Sequence, residues 1–117
     1  MAYEKIKISA PRENPHICYV GKEYSEKIKD IKNTTGMSLY TLLCTCSGHT
    51  LGDRENIKKF KEQVRENGFK NIGEWAECLI EFIHDHLDDI NLIDLTSVQL
   101  KKKASGAEER LYVQYGD

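Results

Sequence analysis

Cys44-Thr45-Cys46-Ser47-Gly48-His49 gathers two thiols and an imidazole into one short stretch of this chain. A C-x-C-x2-H cluster offers three zinc ligands, and Cys78, His84 or His86 would supply a fourth. The spacing departs from the C-x2-C pattern that lets two thiolates turn around one ion. His84 and His86 lie about 200° apart on a helix, so both face one ion only if the helix has ended. The ordinary account treats Cys44 and Cys78 as small buried hydrophobes, where free cysteine is usually found. No basic neighbour adjoins Cys44 or Cys46 in sequence to lower a thiol pKa, which argues against a nucleophile. Glu74, Glu77 and Glu81 recur at helical spacing and imitate an acidic pair, but a solvated helix face explains such a row more simply. The chain carries no phosphate-binding loop, nucleotide fingerprint or H-E-x-x-H. A protein without catalysis, metal or other cofactor is the expectation.

The elements that must position these residues are readable in outline. With 117 residues, a hydrophobic fraction of 39% and a charged fraction of 31%, the chain has the size and composition of one domain, 1–117, with a core of its own. Its net charge of −2 supplies no global basic field, so any binding to nucleic acid must come from a local patch or a dimer. No apolar run approaches the roughly 18 residues of a membrane span, and the charged start MAYEKIKISAPREN lacks a signal-peptide core. A cytoplasmic protein with reduced thiols and no membrane partner is expected.

Residues 3–10 alternate, Ile6 and Ile8 against Lys5, Lys7 and Ser9, which predicts a half-buried strand stopped by Pro11. After the turn residues PREN-P, His16–Val20 returns as a second strand. Ser25 is placed to cap a helix to about Asn33, ended at Thr34-Thr35-Gly36. Residues 37–51 read as a short helix begun at Ser38, then an extended end at Ser47–Leu51. Asp53 caps a basic helix carrying Ile57, Phe60 and Val64, stopped at Asn67-Gly68. The next helix shows one broad apolar face from Ile72 through Trp75, Leu79 and Ile83, and Asp85, Asp88 and Asp89 oppose its dipole near Leu87. Leu95–Leu100 and Leu111–Tyr115 alternate around Ala104-Ser105-Gly106, a C-terminal β-hairpin pattern over 95–115.

Residues 47–83 resemble the ribbon-helix-helix family of DNA-binding proteins. The shared grammar is a strand (Ser47–Leu51), a helix ending in Glu-Asn-Gly (Asp53–Asn67), a brief turn, and a second helix (Asn71–Ile83). In that family two chains pair their strands into a ribbon that reads the major groove, and the second helix start holds a phosphate. The resemblance implies base reading by Ser47 and His49 and phosphate anchoring by Lys70 and Asn71, within a homodimer. The strand CTCSGHTL departs from the family's chemistry, since it lacks Arg, Lys, Asn or Gln, and Gly48 interrupts it. The Lys5/Lys7/Ser9 face is chemically the better ribbon, though no helix directly follows it.

The expected architecture is therefore α+β, a helix pair of ribbon-helix-helix type (53–87) with N-terminal strands and a C-terminal hairpin. The leading expected function is a small, dimeric, non-catalytic DNA-binding regulator. Two further classes stay open: a protein-binding inhibitor or immunity-type factor such as mobile elements encode, and a zinc-binding module on Cys44, Cys46 and His49.

Overall fold

The computed structural model describes residues 5–9, 16–105 and 108–114, with side chains described up to residue 100. The expected turn at 11–15 and the connection at 106–107 lie outside these residues.

The chain folds as α+β. Strands β1 (Lys5–Ser9) and β2 (His16–Gly21) pair antiparallel, Ile6 opposite Val20 and Lys7 opposite Tyr19. A 3-10 turn (Lys22–Tyr24) leads into α1 (Ser25–Thr35). Tyr24 therefore holds the N-cap position expected of Ser25, which is the first helical residue. Helix α1 runs past Asn33 to Thr35, whose hydroxyl donates to the Ile31 carbonyl at 2.7 Å, and Gly36 at φ 75° closes it in the left-handed conformation.

Helix α2 (Leu39–Ser47) corrects the strand expected at Ser47–Leu51. Ser38 caps it as the sequence suggests, its hydroxyl accepting from the Thr41 amide at 3.2 Å. Leu42 and Leu43 are fully buried, and that burial carries the helix through the cysteines to Ser47. Gly48, at φ 74°, is a helix stop and not a strand residue. Leu51 then drops into the core from a turn.

Helix α3 (Arg54–Glu66) begins where Asp53 accepts the Asn56 amide at 2.8 Å, and α4 (Ile72–Asp85) begins where Asn71 accepts the Glu74 amide at 2.8 Å. The two pack through Phe60 and Trp75, edge to face with ring centroids 4.7 Å apart. Helix α4 is the centre of the molecule, packed against β2, α1 and α3. Its Leu79, Ile80 and Ile83 are fully buried, each worth about 1.5–3 kcal/mol relative to exposure. After Asp85 the chain tightens into a 3-10 segment, Leu87–Leu92, from which Ile90 still reaches the core.

Leu95–Ser97, expected as the start of a strand, is a further 3-10 turn. Asp94 enforces it, accepting from the Thr96 amide and from both the Thr96 and Ser97 hydroxyls. Strand β3 starts only at Gln99 and runs to Ser105, pairing antiparallel with β4 (Glu108–Gln114). No helix among the described residues is long and apolar enough to cross a membrane.

Candidate functional site

The residues singled out by the resemblance do not form a ribbon. Ser47 is buried at the end of α2, its hydroxyl donating to the Cys44 carbonyl at 3.1 Å and accepting from the His49 amide at 3.1 Å. It closes a helix and presents nothing to a base. His49 leans on the Phe60 ring, centroids 5.7 Å apart, and its Nε2 lies 3.0 Å from the Gln63 amide oxygen. Asn71 is occupied as the α4 cap. Lys70 is exposed beside it, but its amide donates to the Glu74 carboxylate at 3.2 Å, so an anion already occupies the position where a phosphate was expected.

The thiol cluster is dispersed in the same way. Cys44 and Cys46 sit two positions apart on a helix and so point about 200° apart. The Cys44 sulfur accepts from the Leu51 amide at 3.4 Å, while burial pushes the Cys46 thiol up to about 12. Cys18 is likewise pushed up to about 12, by burial first and then by the Glu77 carboxylate beside it. Among the described residues no three His, Cys, Asp or Glu side chains are placed to hold a metal ion. His84 pairs with Asp30 at 3.0 Å, tying α4 to α1, and His86 turns back to the Phe82 carbonyl.

The row Glu74, Glu77, Glu81 is not the solvated face expected of it. Glu77 accepts the Gly21 amide at 2.7 Å and Glu81 accepts the Tyr24 hydroxyl at 3.2 Å. Together they fasten α4 to the end of β2. Burial, then the Glu81 and Glu77 charges, hold the Tyr24 hydroxyl well above its ordinary pKa. Gly73 completes this contact: a Cβ there would collide with the Tyr19 carbonyl oxygen, so only glycine lets the helix start lie on the strand backbone.

A different surface carries the exposed cations. Arg54, Lys58, Lys61 and Arg65 follow one another at i, i+4, i+7 and i+11 along α3, a stripe about 16 Å long within a narrow arc of the helix. All four are exposed, and among the described residues none is held in an ion pair. Glu55, Glu62 and Glu66 lie on another arc of the same helix, together with Lys59, so no carboxylate falls within the stripe. Lys61 overhangs a cleft of about 420 Å³ whose far wall is the sheet, with Lys5, His16 and Tyr19. Tyr19 is 47% exposed, and its ring lies 4.4 Å from that of His16. Glu74 and Glu77 form the other end of the cleft, each accepting a backbone amide.

Sequence reasoning described α3 as a basic helix but placed its site residues elsewhere. The i, i+4, i+7, i+11 spacing of the four cations was the signal that located this surface. No protein-family model matches the chain, no curated protein matches it in sequence, and no solved structure matches it in fold.

Proposed function

We propose that this protein is a small, non-catalytic DNA-binding protein that grips the phosphate backbone with α3 and not with a strand ribbon. The observation that supports this reading is the carboxylate-free stripe Arg54, Lys58, Lys61, Arg65, continuous through Lys61 with the Lys5, His16 and Tyr19 wall. Exposed guanidinium and ammonium groups along a helix, none of them ion-paired among the described residues, suit a polyanion, whose bound counterions they displace. The Tyr19 and His16 rings add faces on which an unstacked base can lie. Phosphate contacts position a protein without reading sequence, so this surface predicts affinity more than selectivity. The site is complete within one chain and does not depend on the homodimer that the family resemblance implied.

The test is fluorescence anisotropy of a labelled mixed-sequence duplex titrated with the protein at about 50 and about 200 mM salt. Four phosphate contacts give a fall in affinity on the order of a hundredfold across that range. Lys58→Glu and Lys61→Glu should each weaken binding strongly, while Lys70→Glu should matter less. Flat anisotropy at the lower salt, or a loss confined to Lys70→Glu, would sink the reading.

A further inference from the structure

We propose that the outer edge of β1 docks an extended, acidic segment of a partner protein, which adds to the sheet as a third strand. This inference does not rest on DNA binding: the two surfaces share Lys5, but Lys7, Lys29 and the apolar groove lie outside the α3 cleft.

The edge is available by construction. Strand β2 has β1 on one side and α4 on the other, fastened by Glu77 to Gly21. Strand β1 has β2 on its inner side and, among the described residues, no strand on its outer side. A strand edge of this kind is a template for another chain. Alongside it runs a shallow apolar groove of about 380 Å³ between β1, α1 and α2. Its floor is Ile6, Ile28, Leu39 and Tyr40, all half-buried. In strand addition the main chain supplies the hydrogen bonds and alternate side chains fill pockets. An added strand would lower every second side chain onto this floor.

Charge decides the occupant. The other side chains of the added strand would stand beside Lys5 and Lys7, both exposed on the outer face, and Lys29 edges the groove from α1. The one carboxylate paired with Lys29 among the described residues is Glu26, at 3.9 Å and fully in water. Such a pair contributes little and yields readily. Opposite charges directly across a strand pair stabilise it, and like charges oppose it. A second copy pairing β1 against β1 about Ile6 or Lys7 would set lysine against lysine, which disfavours the symmetric dimer. The fitting partner alternates apolar residues with Asp or Glu over about five positions, the length of β1.

A labelled peptide of alternating valine and glutamate, about eight residues long, serves as the probe, with anisotropy for affinity and backbone amide exchange for location. Binding should protect β1 amides and weaken at least tenfold in Lys7→Glu. Leu39→Glu should also weaken it; Leu39 opens the first turn of α2, where a carboxylate suits the helix dipole and the fold is retained. The matching valine–lysine peptide should not bind. No binding of the acidic peptide at low salt overturns the proposal. So does binding that survives Lys7→Glu but is lost in Lys58→Glu, which would mean capture by α3. Protection of the outward-facing β1 amides without peptide also overturns it: independent of dilution, it marks a segment of this chain on the edge, and with sedimentation as a dimer, a second copy.

Discussion

Asn71 caps α4, its side-chain oxygen accepting the Glu74 amide at 2.8 Å, a backbone donor that a phosphate held at this helix start would have used. Asn71→Ala should therefore lower stability by about 1 kcal/mol in urea unfolding and leave DNA affinity almost unchanged. The asparagine was legible in the sequence as a helix start, but its role was not, because a cap and an anion site are written with the same residue types. The thiols make a second residue-scale case. Cys18 and Cys46 hold their protons up to about pH 12 when folded, against an ordinary value near 9. Between those limits the unfolded chain binds fewer protons than the native one, so stability falls as pH rises. Each thiol contributes a slope of up to about 1.4 kcal/mol per pH unit there and none below pH 8. Urea midpoints at pH 8 and pH 10 check this, and Cys18→Ala and Cys46→Ala should flatten the difference.

Among the elements, helices were read better than the segments between them. Asp53, Ser38 and Asn71 cap three helices, and the stops read at Gly36 and Gly68 both take positive φ. Local chemistry of that kind survives in sequence. The end of α2 did not, because Thr45, Cys46 and Ser47 suit a strand as well as a helix. What decides is the burial of Leu42 and Leu43 against distant residues. The fate of Glu77 and Glu81 was hidden for the same reason, since their partners lie on β2 and the following turn. For α3 the prediction is a count. Each glutamate placed in the stripe, at Lys58 or Arg65, should lower the slope of log affinity against log salt by about 1. The same change at Lys59, on the acidic arc, should do much less.

For the whole molecule, the near-neutral net charge conceals a division. Asp85, Asp88, Asp89 and Asp94 follow one another from the last residue of α4 onward, while Arg54, Lys58, Lys61 and Arg65 line α3 and Lys5 and Lys7 line β1. Net charge averages over such local groupings, and the α+β class was the part of the architecture legible in advance. The metal reading makes a claim at this scale, because a structural zinc would hold the fold together. With Cys44, Cys46 and His49 turned apart, a strong chelator should leave the melting temperature unchanged. A drop of several degrees would restore the zinc module.

The Glu77 bridge to the Gly21 amide joins residues 56 positions apart. Two strands alone are marginal in water, so β1 and β2 gain a lasting partner only once α4 exists. These strands are synthesised before α4 and therefore wait for some 56 further residues before they are secured. Folding should be governed by this late, long-range closure, with the Gly21 amide exchanging only through global unfolding. Glu77→Gln, which keeps an acceptor but removes its charge, should speed unfolding more than it slows folding if the bridge closes after the barrier. Stopped-flow measurements on that variant would time the closure.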